Sequence, residues 1–317
     1  MNIQWYPGHM TKAKRMIAEN IKLVDAVCEI VDARIPLSSR NPDFSEITGR
    51  KPRLIILNRA DQADPEETKK WAARLKADGA AVLETDSKSG MGVGGFPSAV
   101  RGLLRETIEN RISKGQAGRG IRAMVVGIPN VGKSSFINRV AKRKAAPASD
   151  KPGVTRGKQW ISIGNGLELL DTPGVLWPKF DDRTVAENLA FTGAIRDDIM
   201  DVEELGACLM LRLRELYPQS LAERYRLNIE ADLSAVRGLI AHSADQREDV
   251  DASNIEAGIE QVLEVSGFDL LAQAAKKRGF LISGGEYDLE RMAATLLDEF
   301  RAGKLGRITL EKLETRN

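Results

Sequence analysis

The chain is poor in the residues that build secreted or metal-bound scaffolds. Its 317 residues include two cysteines, Cys28 and Cys208, each in an apolar stretch. Two scattered thiols provide neither a disulfide framework nor a Cys-x-x-Cys ligand set, and they read as buried thiols in a reducing compartment. Histidine is equally scarce, with only His9 and His242. No segment approaches the roughly 18 consecutive apolar residues of a membrane span, so none is expected. The opening stretch through His9 lacks a basic segment followed by an apolar run, which argues against a signal peptide. A cytoplasmic protein without membrane contact is therefore expected. There is no internal repeat. Hydrophobic residues make up 42% of the chain, enough for a packed core, and the length suggests two domains.

The formal net charge of +2 hides a polarity. Residues 1–180 carry 30 Lys+Arg against 18 Asp+Glu, whereas residues 181–317 carry 17 against 27. A basic half joined to an acidic half suggests a face that meets polyanions, or simply a solvated surface beside an anion site. Lys12, Lys14, Arg15, Lys142, Arg143 and Lys144 are candidates for phosphate contact.

Periodicity divides the chain near residue 180. Before it, buried strands are expected at 26–31, 53–57, 80–83 and 121–126, alternating with helices at 10–24, 65 onward, 95–112 and 133–143. A hairpin is expected from 159–163 and 167–170. The Gly-rich basic run Ser113–Gly120 reads as a linker. Strand–helix alternation implies a mostly parallel sheet covered by helices on both faces. After residue 180 the strand signal fades, and helices are expected at 205–217, 255–265, 268–277 and 288–302. The expected organisation is therefore an α/β domain over 1–180 and a smaller all-α domain over 181–317.

Gly127-Ile128-Pro129-Asn130-Val131-Gly132-Lys133-Ser134 fits G-x-x-x-x-G-K-[ST] between a strand and a helix. Such a loop offers backbone N–H groups and a helix N-terminus to nucleotide phosphates. Lys133 compensates β/γ charge and the Ser134 hydroxyl can ligate Mg²⁺. Val131, Gly132 and Ser135 complete the cradle. Asp171-Thr172-Pro173-Gly174 follows 38 residues after Lys133. Asp171 there can hold Mg²⁺ through water, and the Gly174 N–H can meet a γ-phosphate. Thr155, between the two, can complete the Mg²⁺ shell as a switch residue, or be a plain loop threonine. Asn58-Arg59-Ala60-Asp61 resembles the guanine-reading Asn-Lys-x-Asp. A carboxylate at Asp61 accepts from the N1–H and 2-amino group of guanine, a donor pair adenine lacks. Asn58 would brace neighbouring loops, and the Arg59 stem would cover the base. Asp86-Ser87-Lys88 occupies the place of a second base loop whose backbone N–H meets guanine O6.

The order of these motifs is inverted: the base-reading tetrapeptide lies about seventy residues before the phosphate loop. With Trp5–Met10, Val31–Pro36, Ser38–Pro42, Asp171–Lys179 and Thr192–Ile195, the pattern resembles the circularly permuted GTPases of ribosome assembly. The resemblance covers most of residues 1–200 and is weaker beyond. It implies a permuted P-loop GTPase domain that binds GTP and GDP with Mg²⁺, followed by a small helical domain that contacts RNA. It further implies late assembly of the large ribosomal subunit, with binding to the precursor and its rRNA in the GTP form and release after rRNA-stimulated hydrolysis. A monomer is expected, and no DNA contact. The residue after Asp-x-x-Gly is Val175, where many GTPases place a water-orienting Gln. Asn130 matches an asparagine that helps hold K⁺ in related GTPases, or else shapes the loop. His9 is a candidate to orient or deprotonate water, alternatively an RNA contact or a cap. Recruitment of a protein partner, with hydrolysis as timer, is the competing reading.

Overall fold

The computed structural model describes residues 8–116, 118–142, 159–178, 180, 182–227 and 267–313. Its contacts form two compact units. The larger holds the described residues up to Leu189, Gly193–Ile195 and the chain from Arg307 onward; the smaller holds Ala190–Thr192 and the described parts of Arg196–Gly306. Periodicity in the sequence changes once, near residue 180. The contacts leave the following residues up to Leu189 with the α/β unit and return the chain to that unit at Arg307.

The α/β unit is built on a six-stranded sheet of order β3-β2-β1-β4-β6-β5. The strands are β1 Ala26–Asp32, β2 Arg53–Asn58, β3 Ala81–Glu84, β4 Ile121–Val126, β5 Gln159–Ser162 and β6 Leu167–Asp171. All neighbours are parallel except β5, which runs antiparallel to β6 through the expected hairpin. Every residue of β1 is buried, as its near-continuous apolar sequence requires of a parallel strand covered on both faces. Its one acid in the middle, Glu29, is buried against Arg53 at 2.9 Å.

Helix α1 spans Gly8–Asn20 and α2 spans Asp43–Thr48, a short helix that the sequence reading missed. Helix α3, Pro65–Ala77, opens as the sequence foretold. The Asp64 side chain accepts from the Glu66 and Glu67 N–H groups, and Pro65 occupies the first turn. Such a cap contributes about 1 kcal/mol. Helix α3 packs Ala72 and Leu75 onto Val31, Ile55 and Leu57 of the central strands. The helix expected at 95–112 is two, α4 Phe96–Leu103 and α5 Arg105–Ser113, because the backbone leaves helical geometry at buried Leu104. Helix α6, Lys133–Val140, follows β4, and Phe136 on it meets Phe96 edge-to-face at 5.1 Å. Helix α7 is Arg183–Phe191.

In the helical unit, α8 spans Val202–Leu216 and α9 Pro218–Tyr225, α10 covers residues 267–278, and α11 is Leu289–Arg301. Glu299 ties three of these together: Arg224, Tyr225 and Arg278 all donate to its carboxylate. The helix expected at 255–265 lies outside the described residues. No described helix is long and apolar enough to cross a membrane. Cys28 is buried, with its thiol pushed up to about 12 by that burial, whereas Cys208 is only half-buried.

Candidate nucleotide site

The C-terminal ends of β1, β2, β4 and β6 lie side by side, and the loops leaving them carry the motifs. This is where an open parallel sheet places its ligand. The register aligns Asp32 with Asn58 and Val125 with Asp171, so the two motif groups, separate in sequence, share one edge of the sheet.

The phosphate loop runs from Gly127 to the start of α6. Gly132 has φ +93°, and a Cβ there would stand 2.5 Å from the Asn58 amide nitrogen, so only glycine fits. Lys133 is 9% exposed, and its ammonium donates to the Ile128 carbonyl at 2.9 Å. Burial lowers its pKa to about 8, with the Asp171 charge opposing. Ser134 is half-buried and Ser135 exposed. Asn130 holds φ +59° and donates its amide to the Gly193 carbonyl at 2.6 Å.

Asp171 ends β6, fully buried, and neither carboxylate oxygen has a hydrogen-bond partner among the described residues. Burial raises its pKa, and the Lys133 charge pulls the other way. Two orphaned buried oxygens are costly unless a cation or ordered water completes them. This donor chemistry fits a hard divalent cation. Thr172 anchors the turn by donating to Val125 O at 2.7 Å. A Cβ on Gly174 would fall 2.8 Å from Pro129 N and 3.1 Å from Lys133 Nζ, so the Asp-x-x-Gly turn is pressed onto the phosphate loop. Val175 is buried. Its N–H donates to Gly127 O at 3.3 Å, and its carbonyl accepts from the Asn41 amide at 2.9 Å. Asn41, read before only as part of a motif, thus fixes the turn that follows Asp171.

Asn58 is the hub of the base side. It donates to Val131 O at 2.8 Å and accepts from Ser87 Oγ at 2.7 Å, Ser87 N at 3.1 Å and Thr85 Oγ1 at 3.2 Å. These bonds tie the Asn58 loop to the phosphate loop and to residues 85–87. Arg59 has φ +61°, donates to Asn130 O at 2.9 Å and lies 3.7 Å from Asp32. Asp32 is itself paired with buried Arg34 at 2.7 Å. Ala60 is buried beside exposed Asp61. Burial, then the negative charge of Asp86, pushes the pKa of Asp61 up.

In the second base loop Asp86 accepts from Lys88 N at 2.7 Å and Ser89 N at 2.9 Å, and its own N–H donates to Met91 O. The backbone N–H groups of Asp86, Ser87 and Lys88, the expected donors to guanine O6, are thus all engaged within the protein. Arg139 of α6 closes this loop by donating to the Lys88 carbonyl. The backbone of His9 lies in the first turn of α1, but its side chain is outside the described residues, as is all of Thr155. Arg143 and Lys144 are likewise outside them, so nothing is placed there.

Residues 307–313, which carry no motif, reach the loop that holds Asp61. Arg307 donates to the carbonyls of Ala60 and Ala63, each at 2.9 Å, and Ile308 N donates to Gln62 O at 2.8 Å. Glu311 accepts from Leu37 N, Ser38 N and the Asn188 amide. No periodicity marks this stretch, and its partners lie more than a hundred residues away in the chain, so no local pattern could have found it.

Comparison with known proteins bears on the family and the fold. A family model described as 50S ribosome-binding GTPase matches residues 122–256. The chain is 42% identical to ribosome biogenesis GTPase A of Bacillus cereus over 99% of this chain and 95% of that one. It is 43% identical to ribosome biogenesis GTPase A of Priestia megaterium over 98% and 97% of the two chains. The crystal structure of GNP-bound YlqF from T. maritima, 28% identical, superposes with a TM-score of 0.56 over 95% of this chain and 98% of that one. With its motif order, its mostly parallel P-loop sheet and relatives matching along nearly its whole length, the chain belongs to the ribosome biogenesis GTPase A family and is a GTPase.

Proposed function

We propose that this GTPase of ribosome biogenesis acts late in assembly of the large subunit. It docks on the precursor in the GTP form and leaves after rRNA stimulates hydrolysis. The observation that carries the nucleotide chemistry is the pair Lys133–Asp171. A buried ammonium sits beside a buried carboxylate whose two oxygens have no hydrogen-bond partner among the described residues, under a glycine pressed onto the phosphate loop. Such a pair is costly alone and is completed by phosphate oxygens and a cation.

In this reading the N–H groups of Asn130, Val131, Gly132, Lys133, Ser134 and Ser135 cradle the phosphates, and Lys133 shifts from the Ile128 carbonyl onto the β/γ oxygens. Mg²⁺, when bound, neutralises charge that develops on those oxygens; Ser134, Asp171 and Thr155 would hold it. The Gly174 N–H reads the γ-phosphate. Asp61 selects guanine, with Arg59 covering the base and the Asp86–Lys88 loop beside it. Asn130 would hold K⁺, which would supply positive charge in place of an arginine finger. Val175 cannot orient water, since its side chain is buried and its backbone is clipped on both sides. That task falls to His9, completed by rRNA. The basic N-terminal half supplies phosphate contacts of salt-dependent affinity, and the cytoplasm is the place of action.

The test is GTP hydrolysis in potassium buffer, alone and with purified large or small ribosomal subunits. Stimulation by large subunits only, lost in sodium buffer and in His9→Ala with GTP affinity unchanged, is expected. No stimulation by either subunit, with GTP still tightly bound, would turn the reading to a switch that recruits a protein.

A further inference from the structure

We infer that guanine selectivity in this protein depends on Arg307, a positioning residue that reaches the base-reading loop from 246 residues downstream of Asp61. Asp61 is exposed and has no helix or strand of its own to orient it. Its neighbours are held instead. On one side, Ala60 N donates to Thr85 O at 3.1 Å, and Ala60 O accepts from Arg307 Nη2 at 2.9 Å. On the other, Gln62 O accepts from Ile308 N at 2.8 Å, and Ala63 O accepts from Arg307 Nε at 2.9 Å. The next N–H, Asp64, donates to Thr309 Oγ1 at 3.1 Å.

The two guanidinium nitrogens therefore bracket Asp61 by fixing the carbonyls before and after it. A planar fork can hold two carbonyls in one geometry, whereas an ammonium is a point donor. The segment is anchored in turn. Leu310 N donates to Arg34 O at 2.8 Å, and Trp71 Nε1 donates to Glu311 O at 2.7 Å. A carboxylate that must accept two parallel N–H donors works only when held to a fraction of an ångström. Arg307 supplies that hold without itself touching the base.

This inference rests on the reading of Asp61 as the guanine acceptor, and the experiment separates the two. Dissociation constants for GDP and for inosine diphosphate, which lacks the 2-amino donor, are measured on the full chain and on Arg307→Ala, Arg307→Lys and Asp61→Ala. Arg307→Ala is expected to weaken GDP about tenfold and inosine diphosphate less than threefold, collapsing their ratio. Arg307→Lys is expected to fall between, and it decides the matter if the alanine variant does not fold. An unchanged GDP constant in both variants, or equal losses for both nucleotides, overturns the positioning role. Collapse of the ratio in Asp61→Ala but not in the Arg307 variants removes Arg307 alone. An intact ratio in Asp61→Ala removes the base-reader assignment and the inference with it.

Discussion

Replacing Asn58 by alanine tests how far the nucleotide site is a single hydrogen-bonded unit. The side chain makes four hydrogen bonds that join its own loop to two other segments, the phosphate loop and residues 85–87, and all lie in the buried interior. Alanine leaves the Val131 carbonyl and the Ser87 N–H without partners, while the hydroxyls of Thr85 and Ser87 can rotate elsewhere. Each orphaned buried group costs about 1–3 kcal/mol, so the total lies between about 2 and 6. Water entering the small space left behind favours the lower half of that range. The segments released are the ones that would hold phosphate and base, so a bound nucleotide must re-order them. The loss then appears as affinity. About 3 kcal/mol corresponds to roughly 150-fold. The assay is a titration of the protein with a fluorescent GDP analogue, alongside a thermal melt. Asn58→Asp sharpens the test, because it keeps the acceptor for Ser87 but sets a carboxylate oxygen against the Val131 carbonyl, and it should bind more weakly still. If Asn58→Ala binds GDP within threefold of the parent and melts at the same temperature, the three segments are not coupled through this residue.

Lys133→Met removes the buried ammonium and should abolish measurable turnover while lowering nucleotide affinity by more than about a hundredfold, read by the same titration. Gly174→Ala pushes a methyl to within 2.8 Å of Pro129 N, so the turn must retreat; a non-hydrolysable GTP analogue should lose affinity while GDP keeps it, and equal losses would contradict the γ-phosphate role. In the helical unit, burial alone would raise the Glu299 pKa, but bonds from Arg224 and Tyr225 and the charge of Arg278 outweigh it and hold the value down to about 2 against an ordinary 4.5. A depressed carboxylate stabilises fully above its unfolded pKa and loses that contribution as pH falls toward 2, so stability should decline between about pH 4.5 and 2. Glu299→Gln should flatten that decline in acid melts; an unaltered pH slope would show that the cluster does not set acid stability.

What the sequence made legible was local. Strands β1, β2, β4 and β6 are apolar runs that end at motif residues, and Asp64-Pro65 announces α3 by capping chemistry alone. The phosphate loop needs its glycines wherever it occurs. What escaped is non-local or short. Helix α2 has six residues and too few turns to show a period. The break at buried Leu104 lies inside a continuous helical pattern, and nothing in that pattern marks it. The grip of Asn41 on Val175 spans 134 residues, and that of Glu311 on Ser38 spans 273. Nothing in the sequence around either partner encodes the other. Motif order was informative for a different reason: a permuted order is a property of the whole chain, and the parallel sheet returns β2 and β4 to either side of β1 regardless of the order in which they are joined.

The hydrogen bonds of Arg307 also bear on timing. Chains are made from the N-terminus, and domains gather as they emerge. In this protein the tetrapeptide Asn58–Asp61 is translated early, the Gly127–Ser134 loop midway, and Arg307 after both, with the helical unit in between. A nascent chain can therefore close its sheet and form its phosphate loop while the carbonyls of Ala60 and Ala63 still face water. The Ala60–Ala63 loop of a half-made molecule lacks its last brace, and the α/β unit becomes complete only when the segment beyond Gly306 has been synthesised and has returned to it.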